Sequence, residues 1–166
     1  QSMSQGPYQS HNQGRFQGNQ RPQGGGSHQH YAATSSIEVE DIRFGAEIDP
    51  NLFADIAQAK ARVIAGEGGG RKNKSTQLRK FYDELVMWHD KVFAHGADRG
   101  ATYRELAPFI KMLCAKVTYA KGRDHVSEGF EKLFTHVIRA VDGPETLKQA
   151  KLFIEAFMGF YKAEEK

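Results

Sequence analysis

The stretch that decides the fold reads Lys72-Asn73-Lys74-Ser75-Thr76-Gln77-Leu78-Arg79-Lys80-Phe81-Tyr82-Asp83-Glu84-Leu85. Cationic residues crowd positions 71–80, and no acidic residue follows until Asp83. The hydroxyl of Ser75 or Thr76 can cap a helix here, because it can accept a hydrogen bond from an unpaired amide of the first turn. The stretch therefore predicts a basic entry that leads directly into a helix.

The helix after that entry has one broad apolar face. Hydrophobic residues recur at spacings of three and four: Leu78, Phe81, Tyr82, Leu85, Val86, Val92 and Phe93. This spacing places their side chains on one side of an α-helix and predicts that they face the core. We expect this helix to end at Gly96.

Two further helices flank this one along the chain. Asp49-Pro50 is typical of a helix start and predicts a helix to about Ala65. Its expected core stripe is Leu52, Ile56, Ala59 and Val63. Residues 102–105 read as a capping box, although Pro108 can instead mark the start of a helix that runs to Lys121 or Gly122. Its expected core stripe is Leu106, Phe109, Ile110, Leu113 and Val117.

Two more helices complete the chain. Ser127 opens a fourth helix, and Pro144 starts a fifth that ends near Lys162. Apolar residues nearly encircle the fifth helix, so it is either central or partly exposed for a partner. No strand pattern competes. The sequence therefore predicts an all-α compact bundle of about five helices over residues 37–166.

The first 36 residues differ in composition from the rest. They are rich in Gln, Gly, Ser, Asn and His and contain no acidic residue before the bundle begins. Such a segment buries too little apolar surface to offset its ordering entropy, which predicts a disordered tail. Gln1-Ser2 before Met3 is typical of the remnant of a cleaved affinity tag. The scattered arginine and aromatic residues could also touch RNA weakly.

Composition narrows the class of protein further. The 166 residues carry a formal net charge of +3 and a pI near 9.0, which is compatible with a polyanionic partner without requiring one. Cys114 is the single cysteine, so an intramolecular disulfide and a cysteine-based zinc site are excluded. No apolar run is long enough for a membrane span. We expect a soluble, cytoplasmic protein.

Catalytic signatures are absent from the sequence. It holds no His-Glu-x-x-His motif, no phosphate-binding loop ending in Gly-Lys-Ser/Thr and no nucleophile elbow. The run Gly68-Gly69-Gly70 follows a predicted helix rather than a strand, so we interpret it as a hinge. His89 falls on the apolar face and is expected in the core. We predict a protein that is not an enzyme and has no metal, cofactor or small-molecule substrate.

Because catalytic signatures are absent, rows of basic residues along the predicted helices are the remaining indication of function. The candidate nucleic-acid-binding residues are Lys72, Lys74, Arg79, Lys80, Lys116, Tyr119, Arg123, Lys132 and Arg139. Met112, Lys116, Tyr119 and Arg123 follow one line beside the core stripe of the third helix. Cations that track phosphates, with an occasional ring, are what a backbone-binding protein needs. The same charges could also pair with nearby carboxylates as ordinary surface.

Three blocks of the sequence resemble a known family. They are residues 74–82 (Lys-Ser-Thr-Gln-Leu-Arg-Lys-Phe-Tyr), residues 113–123 and residues 151–162. Their order and spacing are similar to those in the small helical subunit of type III-A CRISPR effectors, the Csm complex. The resemblance covers roughly Ile37 to Lys162.

The resemblance implies a non-catalytic helical bundle that acts in antiviral defence. It implies several copies stacked as an inner filament against the large subunit and the backbone subunits, where they line the channel for guide RNA and target RNA. Lys74, Arg79, Lys80, Lys116 and Arg123 would then contact the nucleic-acid backbone. The alternative is a helical adaptor that binds only protein through its last helix.

Overall fold

The computed structural model describes residues 35–165. Almost all of the predicted tail therefore lies outside the described residues. The described part contains a π-helical turn and six α-helices: the turn Leu52–Ile56, α1 Ala57–Glu67, α2 Ser75–Val92, α3 Arg99–Lys111, α4 Leu113–Gly122, α5 Glu128–Arg139 and α6 Pro144–Glu164. No strand occurs between residues 35 and 165, and the predicted all-α class is confirmed.

The last helix is the centre of the bundle. α6 packs against α1 and α2 and also touches the π-helical turn and α3. Its buried residues are Thr146, Leu147, Ala150, Phe153, Ile154, Phe157 and Tyr161. Of the two alternatives for this helix, the central position is confirmed. Phe130 of α5 joins the core from the other side, with its ring centroid 5.8 Å from Phe81 of α2 and 6.1 Å from Phe157 of α6.

The predicted stripe of the first helix is confirmed at Leu52, which is fully buried, and is wrong by one position after it. The helix opens with a π-helical turn, in which the amide of Ile56 donates to the carbonyl of Asn51, five residues back. A π turn holds more residues than an α turn, so it rotates everything after it. The buried residues of α1 are accordingly Ala57, Lys60, Ala61 and Ile64, and Ala59 is exposed. The ammonium of Lys60, although buried, lies 2.8 Å from a carboxylate oxygen of Asp41.

The predicted third helix is divided in two. It begins one turn earlier than the predicted capping box, because the carboxylate of Asp98 accepts a hydrogen bond from the amide of Ala101 at 3.0 Å. Pro108 lies inside α3, where its ring removes one hydrogen bond of the helix. The α-helical pattern is then interrupted at Met112 before α4 begins.

Phe109 is not a core residue, contrary to its predicted place in the stripe. The buried face of α3 and α4 runs through Tyr103, Ile110, Leu113, Val117 and Ala120. Phe109 lies beside that face and is 50% exposed. Its ring stacks on Trp88 of α2, with 5.8 Å between the ring centroids.

Other boundaries lie close to the predictions. Ser127 caps α5, because its hydroxyl accepts a hydrogen bond from the amide of Phe130, and Pro144 is the first residue of α6. The cap of α2 is wrong, since the helix begins at Ser75 itself and neither predicted hydroxyl caps it. His89, expected in the core, lies instead at its edge: its side chain is 14% exposed, its Nδ1 is 3.0 Å from the exposed carboxylate of Asp90, and its ring stacks on Phe93.

The glycine-rich loop is a closed turn rather than an open hinge. The amides of Arg71 and Lys72 both donate to the carbonyl of Gly68. A Cβ atom on Gly68 would lie 2.6 Å from the carbonyl oxygen of Lys72, so only glycine allows the two backbones to approach so closely. The turn therefore fixes the position of the backbone just before Asn73.

Asn73 joins four parts of the bundle. It is 1% exposed and has a φ of 59°, a left-handed conformation that asparagine adopts more readily than most residues. Its side-chain amide donates to the carbonyl of Ile64 in α1 and to the hydroxyl of Ser127, and its oxygen accepts from the amide of Ser127 at 2.8 Å. Its backbone carbonyl accepts from the hydroxyl of Tyr161 in α6, and its amide donates to the carbonyl of His125.

Replacing the side chain of Asn73 should destabilise the bundle. We expect Asn73→Gly to lower the free energy of unfolding by about 2–4 kcal/mol, because the buried amide of Ser127 and carbonyl of Ile64 lose their partner. Asn73→Ala should cost about 1 kcal/mol more, since alanine tolerates a positive φ less well. Urea unfolding with an unchanged m-value measures both effects.

Asp124 provides the matched control. It has the same φ of 59° but is exposed, so Asp124→Gly should change the free energy of unfolding by no more than about 0.5 kcal/mol. Equal stabilities for Asn73→Gly and the unaltered protein would contradict the role given to the Asn73 side chain.

Candidate nucleic-acid interface

The loop before α2 presents two lysines on either side of a buried asparagine. Asn73 is turned into the bundle, while Lys74 is exposed and Lys72 is half-buried. The ammonium of Lys72 lies 3.4 Å from a carboxylate oxygen of Asp124. The hydrogen bonds of Asn73 therefore fix the backbone from which both lysine side chains project.

The first groove lies between α2 and α4 and is called the α2–α4 groove below. It has a volume of about 570 Å³ and is lined by Gln77, Lys80, Phe81, Asp83, Glu84, Met87, Lys116, Tyr119, Ala120 and His125. Lys80 and Lys116 thus share one groove with Tyr119, although 36 positions separate the first lysine from the second along the chain. Three of the predicted site residues thus line one groove.

Tyr119 is the most exposed large hydrophobic side chain in the described part of the chain, at 66%. Arg123, one helical turn later, donates to its hydroxyl at 3.3 Å and holds its guanidinium carbon 5.8 Å from the ring centroid. A guanidinium beside an open aromatic ring can bind a phosphate and stack on a base or sugar at the same place.

Lys116 reaches across the α2–α4 groove to α2. Its ammonium donates to a carboxylate oxygen of Glu84. Within residues 35–165, neither Lys74 nor Lys80 has a carboxylate within 4.0 Å. Both ammonium groups are therefore available to an external anion.

The second groove lies on the other side of α2, against α6. It has a volume of about 530 Å³ and is lined by Ser75, Thr76, Arg79, Tyr82, Glu155, Met158, Gly159 and Lys162. Arg79 therefore lies on a different side of α2 from Lys80, as a 100° step per residue requires. Its guanidinium is 3.7 Å from the Asp83 carboxylate, one turn along the same helix.

Glu165 lies at the end of this second groove. Its carboxylate is 2.8 Å from the ammonium of Lys162. Its pKa is lowered, first by the hydrogen bond from Lys162 and next by one from Ser75 at the start of α2. The carboxylate of Glu165 is thus an anion at the first turn of α2.

The two α5 candidates are separated from both grooves. The ammonium of Lys132 donates to the backbone carbonyl of Ile37 at 2.8 Å, so this side chain fastens the segment before α1. Arg139 is exposed near Cys114, where burial raises the pKa of the thiol and the charge of Arg139 partly offsets that rise. Neither residue lines the grooves described above.

Lys111, which was not among the site candidates, binds the end of α5. Its ammonium donates to the carbonyls of Ile138 at 2.8 Å and Val141 at 2.5 Å. Burial is the main cause of its lowered pKa. A cation at the C-terminal end of a helix is favourable because the last carbonyls there lack partners.

Sequence reasoning also missed Asn73, Lys162 and Glu84. Asn73 stands between two lysines after a glycine-rich loop, and the tolerance of asparagine for positive φ was the signal that could have identified it. Lys162 lies beyond the basic rows in sequence and joins Arg79 only because α6 packs on α2. Glu84 pairs with Lys116 of another helix, a contact that no spacing along α2 reveals.

Residues 35–165 contain neither a metal-binding cluster nor a membrane-spanning helix. No group of three or more His, Cys, Asp or Glu side chains between residues 35 and 165 could hold a metal ion. None of the described helices combines the length and the apolar character that crossing a membrane demands.

Comparisons with known proteins gave one match. The family model described as Csm2 Type III-A matches residues 51–166 of the chain. The searches of curated proteins and of solved structures returned no match. The matched region contains all six α-helices and both grooves.

The hydrogen bond from the Tyr161 hydroxyl to the Asn73 carbonyl should make the stability of the bundle depend on pH. Burial, and next the charge of Glu165, raise the pKa of Tyr161 above the value near 10 of an unfolded chain. The stability from this group is therefore complete below about pH 10 and is lost as the pH rises through the folded-state pKa. At pH 7 we expect Tyr161→Phe to cost about 1 kcal/mol, because the Asn73 carbonyl loses its donor.

The difference in unfolding free energy between the unaltered protein and Tyr161→Phe should narrow above pH 10. Tyr82 and Tyr103, whose pKa values burial also raises, are present in both proteins and cancel. Urea unfolding at a series of pH values measures the gap. A gap that stays constant from pH 7 to the alkaline limit would be inconsistent with this role of Tyr161.

Proposed function

The chain belongs to the Csm2 type III-A family, the small subunit of the type III-A CRISPR–Cas complex, and we propose that it contacts the RNA backbone through the α2–α4 groove. Lys80 and Lys116 would bind phosphates in the groove, Arg123 would bind a phosphate beside it, and Tyr119 would stack on a base or sugar. The observation that carries this proposal is the convergence of Lys80 from α2 and Lys116 from α4 on one groove, next to the exposed ring of Tyr119 and the guanidinium of Arg123.

The RNA in this proposal is the guide RNA together with the target RNA. Backbone contacts position a nucleic acid without reading its bases, and this suits a subunit that must accept any guide sequence. Lys72, Lys74 and Arg79 would extend the contact along α2. Lys132 and Arg139 take a lesser part, because the first is bound to a carbonyl and both lie away from the grooves.

Several copies of the subunit would stack as an inner filament beside the large subunit and the backbone subunits. The exposed apolar side chains of Phe109 and Met112, at 50% and 52% exposure, support a protein contact on this side of the bundle. Stacked copies would place their grooves in series along one RNA, so that weak contacts add up. The role in antiviral defence follows from membership in that complex.

We propose further that the subunit catalyses no reaction. Support comes from the family, which is a structural one, and from the missing catalytic motifs noted above. A cytoplasmic location accords with a complex that captures intracellular RNA.

A protein-only adaptor is the second candidate. The last helix gives it no support, because its apolar residues lie in the core. The exposed pair Phe109 and Met112 does favour a protein contact, with or without RNA binding. RNA binding that depends on salt separates the two candidates.

Removing Lys80 from the groove and Arg123 from beside the ring of Tyr119 should weaken binding to RNAs of any sequence. We expect Lys80→Ala/Arg123→Ala to lower affinity by a similar factor on unrelated single-stranded RNAs. The slope of log affinity against log salt should also fall in magnitude by about 1.4, roughly 0.7 for each lost phosphate contact. Fluorescence anisotropy with labelled RNA across a salt series measures both.

Arg43→Ala/Lys148→Ala is the matched control. Both residues are exposed, neither lines a groove described above, and the pair removes the same net charge. Equal losses for the two double variants would mean that only net charge matters and would remove the groove from the proposal.

A further inference from the structure

Three of the cations proposed to bind RNA already have an acidic partner within the chain. Lys72 pairs with Asp124 at 3.4 Å and Arg79 with Asp83 at 3.7 Å, and Lys116 pairs with Glu84. An RNA phosphate that binds one of these cations must therefore displace a carboxylate. The ease of that exchange differs from one pair to the next.

Glu84 is the most shielded of the three carboxylates. Its side chain is 23% exposed, against 60% for Asp83 and 80% for Asp124. A carboxylate with less water around it is screened less by salt and solvent. The pair that Glu84 makes should therefore persist where the other two exchange readily with an incoming phosphate.

Glu84 also stands where RNA would lie. It lines the α2–α4 groove together with Lys80, one turn before it on the same helix, and with Lys116 and Tyr119 from α4. Its partner comes from a different helix, 32 positions away in sequence. With Asp83, which pairs with Arg79 of its own helix, it is one of two carboxylates in a groove whose lysines suit a polyanion. Glu84 repels the RNA while it holds Lys116.

We infer that Glu84 limits the RNA affinity of the α2–α4 groove by competing with phosphate for the ammonium of Lys116. This inference rests on the proposed RNA contact and names the residue that regulates it. Loss of the carboxylate frees one cation and removes one repulsive charge. The gain should be modest, because pairs at protein surfaces contribute little.

The test measures RNA affinity of the full chain carrying Glu84→Gln. We expect affinity for a fluorescein-labelled single-stranded RNA to rise about two- to five-fold, the range that corresponds to one surface ion pair. The salt slope should steepen by up to about 0.7, because Lys116 is then always free to bind phosphate and no longer divides its time between phosphate and Glu84. Glu38→Gln, an exposed carboxylate outside the groove, controls for the change in net charge.

A double-mutant cycle identifies the route of the effect. In a Lys116→Ala background, the slope change caused by Glu84→Gln should vanish and its gain should fall to that of Glu38→Gln, since the cation that Glu84 holds is gone. Circular dichroism and thermal melting check that each variant remains folded. Unchanged or lower affinity for Glu84→Gln overturns the inference, as does a gain that survives Lys116→Ala in full.

Failure of this inference can be told apart from failure of the proposed function. If Lys80→Ala/Arg123→Ala weakens binding more than its control while Glu84→Gln changes nothing, only the role of Glu84 is refuted. If no variant changes RNA binding, or the unaltered chain binds no RNA alone or in the assembled complex, both are refuted.

Discussion

The hydrogen-bond network of one buried side chain, Asn73, is the constraint on which the rest of the structure depends. Every polar group of this residue has a partner: the carbonyls of Ile64 and His125, the amide and hydroxyl of Ser127, and the hydroxyl of Tyr161. A buried polar network that is fully satisfied specifies a single arrangement of the elements that it joins. Here it ties α1, α5 and α6 to the start of α2. Because Lys72 and Lys74 flank the residue directly, the same network that holds the bundle together also positions the basic entry to α2.

At the surface of α2 and α4, positive charge comes from local groups of cations rather than from the net charge of the chain. The net charge of +3 is too small to attract RNA over a long range, so the groove must supply the cations at close quarters. Several of those cations are paired with carboxylates of the same chain, which lowers the cost of holding like charges close together in the free subunit. Under the proposed RNA contact, binding would be an exchange of partners in which phosphates replace carboxylates. This exchange is expected to be weak for one copy and stronger for a row of copies on one RNA.

Periodicity predicted much of the fold, because spacing alone determines which face of a helix is buried. The starts of α5 and α6 were correctly predicted, whereas the sequence left two places open for α6 and the structure shows the central one. The errors arise where the backbone departs from a regular α-helix: the π-helical turn rotates α1 by one residue, and Pro108 precedes an interruption at Met112. In the candidate site, the sequence identified Lys80, Lys116 and Tyr119 but could not show that they share a groove, since that depends on how α2 and α4 pack. The buried position of Asn73 and the pairing of Glu84 across helices are likewise properties of the packed bundle, which no local pattern encodes.

The central claim is that RNA lies along α2 and α4, and a lysine footprint tests it most directly. The full chain is labelled with an amine-reactive reagent in the absence and presence of single-stranded RNA, and mass spectrometry reads the labelling of each lysine. Lys74, Lys80 and Lys116 should be protected by RNA, whereas Lys148, exposed on α6 away from both grooves, should be labelled equally in both samples. Equal protection of Lys148 and the groove lysines, or protection of none of them by an RNA that is demonstrably bound, would contradict the claim.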